Sequence, residues 1–314
     1  MIWIPQIDAY FSHVVSQWTY CWLELPYLTG ASSVRMSYSD IRPQFLKEYL
    51  AQRWAPGNPV LPWMQRVQEK NLSESGLVSL VFEQIQVASS GEVELLDYYH
   101  SDYPALLRSL RDPPNLLMAR GSLELLHKKS VAIVGSRKAS LFALEETKSL
   151  AFELARAGYV IVSGGAIGCD MAAHLGALHS HIHPAPTILV FAGGLSRLYP
   201  RCHQAYFQRL LAQGALCLSE RLWSYPARPF DFPVRNRIIS GLALRLLVMQ
   251  AAERSGARLT AHLALEQGRE VFVLNHADHD IRAAGSKALR DEGALSFDHS
   301  EDYLAGFEEC AEPR

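Results

Sequence analysis

The apolar positions of this chain change rhythm near residue 131. Before it, apolar and aromatic residues recur at helix-compatible spacing, as in FLKEYLAQRW at 45–54 and again over 64–85, a pattern that predicts short amphipathic helices. After it, short apolar runs rich in β-branched residues alternate with stretches of helical period. The runs predict strands over 131–134, 160–163, 187–191, 215–219, 245–250 and 271–274, and the stretches between predict helices over 141–157, 170–178, 202–212, 236–243 and 258–267. Gly158 and Gly268 stand where helix C-caps belong. Strands that are apolar throughout, rather than at alternate positions, belong to a sheet covered on both faces, and a helix between successive strands makes their pairing parallel. The expected fold class is α/β, with a doubly wound, mostly parallel sheet.

Proline spacing sets the boundaries. RWAPGNPVLPW at 53–63 carries Pro56, Pro59 and Pro62, which forbid one continuous helix there. The stretch 97–121, with Pro104 and the Pro113-Pro114 pair, reads as a connector holding one short helix. The expected organisation is a small helical N-terminal domain over 1–95, a connector and lead-in to the sheet over 96–130, and the sheet domain over 131–314.

Charge adds one asymmetry to this picture. The 314-residue chain has a formal net charge of −2, yet residues 221–258 hold seven arginines against two acids, whereas 1–100 and 276–314 are both acidic. A near-neutral total thus conceals a basic middle fit for a polyanion. Five scattered cysteines, Cys21, Cys169, Cys202, Cys217 and Cys310, form no CxxC pair. Their scatter argues against a thiolate zinc site or a disulfide framework and for a reducing compartment. The N-terminus lacks a basic segment ahead of its apolar residues, and no run of eighteen apolar residues occurs. The expectation is a cytoplasmic protein that does not enter the membrane.

Candidate chemistry lies where the strands stop. The first strand runs into Gly135-Ser136-Arg137, the second into Ser163-Gly164-Gly165-Ala166-Ile167-Gly168-Cys169-Asp170, and the third into Gly193-Gly194. Glycine-bearing loops at the C-terminal ends of parallel strands offer amides to an anion, so a phosphate-bearing ligand is the first reading. Each loop taken alone also fits a tight strand-to-helix turn with a solvated arginine. The glycine spacing is neither GxGxxG nor a phosphate loop ending in GK[ST], which removes support for dinucleotide and triphosphate chemistry. A fourth loop offers Ser255 and Gly256. FPVRNRIISGL at 232–242 places Phe232, Arg235, Asn236 and Arg237 at a helix start, where a cation opposes the helix dipole unless an anion is received. Trp223, Tyr225, Phe230 and Phe232 interleave with Arg221 and Arg228 ahead of it. Cations between aromatics suit single-stranded nucleic acid, whose phosphates need charge and whose bases need π faces; buried aromatic anchors in a solvated loop are the plainer alternative.

Catalytic readings are weaker. His179, His181 and His183 alternate within a proline-containing turn, a poor frame for a metal. Cys169 and His174 lack a third, orienting group, and no GxSxG elbow is present. No catalytic residue, metal or cofactor is expected.

Taken in order, Tyr103-Pro104, DPPNLL at 112–117, VAIVGSRKAS at 131–140, SGGAIGCDMAAHLGAL at 163–178, Gly193-Gly194-Leu195 with Tyr199-Pro200, Ser219-Glu220, FPVRNRIISGL, SGARLTA and EQGREVFVL resemble the DNA processing protein A (DprA/Smf) family. The resemblance implies an extended Rossmann-like domain that binds single-stranded DNA without catalysis and helps load the RecA recombinase in natural transformation. It also implies a homodimer with a small helical N-terminal domain. By that likeness the DNA contacts are Gly135, Ser136, Arg137, Lys138, Ser163, Gly164, Gly193, Gly194, Phe232, Arg235, Asn236, Arg237, Ser255, Gly256 and Lys287. The chain departs from the family pattern at Ile167, where an arginine is usual, at Cys169, and at Gln250, where an acid is usual. It departs again at Asn275-His276 in place of Pro-Gly, and at Gly285-Ser286-Lys287 in place of Gly-Thr-Asn. A rival α/β family, the lysine-decarboxylase-like nucleotide phosphoribohydrolases, pairs PGGxGTxxE with an arginine. The corresponding SGARLTAHLALE at 255–266 lacks the acid at that place.

Overall fold

The parallel strands order themselves around the one that begins at Ser130. A computed structural model describes residues 90–309, apart from 99 and 115, and the isolated positions 83, 87 and 88. The chain divides into two units, Met1–Val93 and Glu94–Arg314, and the helical domain expected over 1–95 falls almost wholly outside the described residues. The second unit runs β1 (Glu94–Asp97), α1 (Ala105–Arg108), β2 (Leu116–Arg120), β3 (Ser130–Val134), α2 (Leu141–Arg156), β4 (Val160–Ser163), α3 (Cys169–His179) and β5 (Thr187–Phe191). It continues with α4 (Gln204–Ala212), β6 (Leu216–Ser219), α5 (Asp231–Leu242), β7 (Arg245–Val248), α6 (Gly256–Glu266), β8 (Glu270–Leu274), α7 (Ala284–Asp291), β9 (Leu295–Phe297) and α8 (Ser300–Glu309).

The sheet order is β1-β2-β6-β5-β4-β3-β7-β8-β9. Strands β6 through β9 pair in parallel, and β1 and β2 add an antiparallel edge. The protein is thus α/β, Rossmann-like, with a mostly parallel sheet. The chain winds outward from β3 in both directions, to β4 on one side and β7 on the other. At such a switch point the loops part and leave a crevice beyond the strands' C-terminal ends.

Both sheet faces are buried, as uninterrupted apolar strands require. Ala132, Val134, Val160, Val162, Ile188, Val190, Leu246 and Val248 face α5 and α6, which contribute Ile238, Ile239, Leu242, Ala257, Ala261 and Ala264. The alternate residues Val131, Ile133, Ile161 and Leu247 face α2 and α3 through Leu150, Ala151, Leu154, Ala173 and Ala177. Each Val, Leu or Ile among them contributes about 1.5–3 kcal/mol on full burial, so the sheet is held from two sides and its strand ends are fixed platforms for the loops. The structure differs from the pattern reading in three places. Strand β1 straddles the expected boundary at 95 and β2 lies within the stretch read as a connector, β9 adds a far edge, and α5 begins at Asp231, five residues before the expected start at 236.

One buried group links this core to pH. The Thr187 hydroxyl donates to Ile161 O at 2.8 Å, so His174 Nδ1 must be the donor in its 2.7 Å contact with Thr187 Oγ1. That tautomer leaves His174 Nε2 bare, and it has no hydrogen-bond partner. Burial, reinforced by Arg235 and His203, holds the imidazole neutral and pushes its pKa down to about 3. In the unfolded chain the ring protonates near its ordinary value, so between about pH 6.5 and 3 the unfolded state binds the extra proton and stability falls as pH falls. The urea midpoint is expected to drop between pH 7 and pH 4. His174→Asn, which keeps a donor for Thr187 and cannot titrate, should lose less over the same interval; an equal loss would assign the effect to other groups.

Candidate nucleic-acid interface

The site is built by four loops that follow β3, β4, β5 and β6, and by the first turns of α5. After β3 the Ser136 hydroxyl accepts from Lys138 N at 3.0 Å, and Ser136 O accepts from Cys169 N at 3.2 Å. The turn is thereby tied to the start of α3. Gly168, at φ +84°, lets the two loops touch, because a Cβ there would overlap Ser136 O and Arg137 Cα. Gly135 is required for a similar reason: a Cβ would sit 2.5 Å from Cys169 Sγ. The glycines expected to admit a ligand therefore admit neighbouring protein. Gly193 and Gly194 behave alike, receiving Ala227, Leu222 and Trp223; Gly194 N donates to Tyr225 O at 2.8 Å and Ser196 N to Trp223 O at 3.0 Å. These contacts clamp the arginine- and aromatic-rich loop after β6 onto the loop after β5.

The arginines at the start of α5 point in different directions, since positions two apart on a helix lie about 200° apart around its axis. Arg235 is buried, and its Nη1 donates to Gly164 O at 2.9 Å and to Val190 O. A Cβ on Gly164 would lie 2.7 Å from both Arg235 nitrogens and from Asp170 Oδ2, so this glycine makes room for a buried cation and carboxylate. Burial lowers the Arg235 pKa to about 10, opposed by Asp170, and burial raises that of Asp170, opposed by Arg235. Asp170 Oδ2 also accepts from Ala166 N at 3.3 Å, which holds the loop after β4. Arg237 turns the other way and pairs with Glu220 at 2.5 Å and with Asp112 at 3.3 Å.

The other expected residues are placed as follows. Ser163 is buried, its hydroxyl donating to Ile133 O at 2.6 Å. Ser255 caps α6 by accepting from Arg258 N, Asn236 Nδ2 donates to Gly256 O at 3.4 Å, and Gly256 itself is open to solvent. Lys287 pairs with Asp278 at 3.3 Å beyond the loop that follows β8.

What remains at the mouth of the crevice is Arg137, Lys138 and Phe232. Among the described residues Arg137 and Lys138 have no carboxylate partner, and both are exposed. The Arg137 guanidinium stands 5.3 Å from the Phe232 ring centroid, and Tyr199 meets the same ring at 5.7 Å and 66° while remaining 49% exposed. Ile167, 41% exposed, stands next to Gly168 against the β3 loop. Tyr199 stands at this candidate site without being among the expected contacts; the signal available for it was an aromatic five residues beyond the Gly193-Gly194 pair. Phe232 and its neighbours thus form a continuous surface of cation and π face, the chemistry required to hold a phosphate backbone while stacking a base.

Fold and site together define a Rossmann-like protein whose strand-end crevice is rimmed by cations and aromatics. The chain belongs to the DNA recombination-mediator protein A family, whose model matches residues 94–308. It is 38% identical over 211 residues to DNA processing protein DprA of Bacillus subtilis, covering 67% of this chain and 69% of that protein. Protein Smf of Escherichia coli is 39% identical over 202 residues, covering 64% of this chain and 53% of the relative. Among solved structures, DNA processing protein A of Helicobacter pylori, studied for its single-stranded DNA binding mode, aligns with a TM-score of 0.63 and 30% identity over 69% of this chain and 96% of its own. The DprA structure from Streptococcus pneumoniae gives 0.63 and 32% over 75% and 83%.

The geometry separates two kinds of arginine. Arg235→Ala leaves Asp170 buried and two carbonyls undonated, a change of about 3–5 kcal/mol, whereas Arg137→Ala removes an exposed side chain. Urea denaturation should show a large loss for the first and a shift within about 0.5 kcal/mol for the second. Equal midpoints would show that Arg235 does not brace the strand ends.

Proposed function

We propose that this chain binds single-stranded DNA along the rim of Arg137, Lys138, Phe232 and Tyr199, and does so without catalysing a reaction. The observation that carries the reading is the half-buried Phe232 ring, with the exposed Arg137 guanidinium 5.3 Å and the exposed Tyr199 ring 5.7 Å from its centroid. Phosphates would be received by Arg137, Lys138 and the loop amides at Gly135 and Ser136, and bases would lie against the rings. The open backbone at Ser255 and Gly256 extends the same surface across the switch point. Arg235, Asn236, Arg237, Ser163, Gly164, Gly193 and Gly194 support the rim from below, and Lys287 serves at its far end.

The groups with catalytic potential near the crevice support a binding role. Burial pushes the Cys169 thiol up to about 12 and holds His174 neutral, and Asp170 is enclosed with Arg235. Cys169 and His174 thus offer no proton to exchange near neutral pH, and Asp170 is buried against Arg235. For a phosphoribohydrolase, Glu266 would have to act at the crevice, yet it ends α6, about 15 Å along the helix from Gly256. The family's association with recombination extends the proposal to delivering the bound strand to RecA, as a homodimer and in the cytoplasm; no described helix is long and apolar enough to cross a membrane.

Binding of a labelled oligothymidylate should weaken steeply as salt rises, because cations displace condensed counterions. Arg137→Ala should weaken it about tenfold and flatten the salt slope by about one unit. The reading fails if the unaltered protein does not bind at low salt, or if Arg137→Ala binds as well as it does.

A further inference from the structure

We infer that a second cavity, between the start of α2 and the loop after β8, receives a base of the same single strand beyond the Arg137 rim. The inference rests on the binding function proposed above and names a subsite that the rim does not include. The cavity measures about 460 Å³ and is lined by Ser140, Phe142, His276, His279, Ile281 and Arg282 among others, within the range of small-ligand pockets. It is continuous with the rim through the chain itself. Ser140 stands two residues beyond Lys138, so at about 3.5 Å per residue the cavity mouth opens roughly 7 Å of chain from an unpaired lysine.

Its walls are aromatic and held in place. Phe142 is 37% exposed and is met edge-on by His276 and His299, each at 5.8 Å, with interplanar angles of 90° and 88°. His276 Nε2 lies 2.7 Å from Met249 O, a carbonyl that can only accept, so the ring donates there and is fixed in orientation. A hydrogen-bonded chain crosses the switch point beneath: Ser140 N donates to Gln250 Oε1 at 2.8 Å, and Gln250 Nε2 donates to Asp280 Oδ2 at 3.0 Å. Arg282 closes the chain onto the same carboxylate, Nε to Oδ1 at 2.9 Å and Nη2 to Oδ2 at 3.2 Å. Of the lining, Ile281 is 85% exposed, and Leu141, between Ser140 and Phe142, is 77% exposed.

Charge distinguishes the base from the phosphate as occupant. Arg282, the cavity's arginine, is neutralised by Asp280, and burial lowers the His276 pKa so that this ring is neutral. A nearly neutral, aromatic and apolar cavity favours a flat uncharged group, while Lys138, two residues before Ser140 in the chain, favours a neighbouring phosphate. A strand that lays one base on Phe232 and passes Lys138 therefore has its next stacking partner at Phe142.

The test is a length series of labelled oligothymidylates from about 4 to about 16 nucleotides, titrated into the full chain and into Phe142→Ala and Ile281→Glu. For the unaltered protein, affinity should rise in two steps with length. Phe142→Ala should remove the second step, weakening the longest strand about 5- to 100-fold while leaving the shortest unchanged. Ile281→Glu, at a side chain too exposed to matter for folding, should act in the same direction by repelling the backbone. A single step with length, or equal loss at all lengths in Phe142→Ala, overturns the subsite and leaves the rim standing. So does a change of sedimentation mass in the variants, which would make the cavity a contact between two copies of this chain. No binding at any length by the unaltered protein overturns the rim and the subsite together.

Discussion

A buried guanidinium sets the geometry of this site. Arg235 reaches from α5 to carbonyls at the ends of β4 and β5, and Asp170 at the start of α3 faces it across Gly164. Two helices, α3 and α5, are thereby tied to the paired ends of β4 and β5 at one point beneath the crevice. The desolvation of both charges is considerable, and their mutual attraction together with the carbonyl contacts must offset it. The arrangement gains direction rather than raw stability: with Arg235 fixed, the first turn of α5 is fixed, and Phe232 on that turn is set beside Arg137 and Tyr199. The candidate surface is thus braced by a charge that is almost wholly buried.

The same logic divides the basic middle of the sequence into two populations. Arg221 pairs with Asp231 at 2.7 Å, Arg237 with Glu220, Arg245 with Glu270 and Arg258 with Glu292. Most of the net positive charge of 221–258 is therefore spent on intramolecular pairs. Arg228 lies over Tyr225 at 5.3 Å, and the exposed, unpaired cations Arg137 and Lys138 come from the β3 loop, outside that stretch. A count of arginines along the chain overstates the field at the crevice, and three-dimensional pairing decides which charges a polyanion would encounter.

This explains where the sequence was readable and where it was not. Strands β3 to β8 could be drawn because both sheet faces are buried, and residues such as Val131 and Ala132 are apolar whichever way they point. The β1 and β2 edge escaped notice because LLMAR sits between Pro114 and Gly121, and prolines nearby read as a connector. For the site, the β3 loop could be found because strand-to-loop punctuation is local. The roles of Arg235 and Arg237 could not, since their partners Val190, Gly164 and Glu220 lie 17 to 71 residues away. One clue was present: side chains two apart on a helix cannot share a face, so at most one of the pair could have faced a ligand. The glycine loops carried a similar ambiguity, because a glycine that admits Cys169 and one that admits a phosphate are identical in sequence.

The departures from the family pattern gain a physical meaning in this setting. Gln250 spans Ser140 N and the Asp280 carboxylate, a position that needs an acceptor at one end and a donor at the other. An acid there would satisfy the amide but face Asp280 with a second negative charge across the same 3.0 Å. The amide therefore fits a chain that has placed Asp280 and Arg282 beside the switch point, and the two positions are matched to each other. Ile167 reads similarly. An arginine at that place would add charge to the rim; the isoleucine, 41% exposed and next in the chain to Gly168, which touches the β3 loop, presents an apolar face instead. Both positions thus carry a neutral side chain where the family pattern carries a charge, Gln250 inside the fold and Ile167 at its surface.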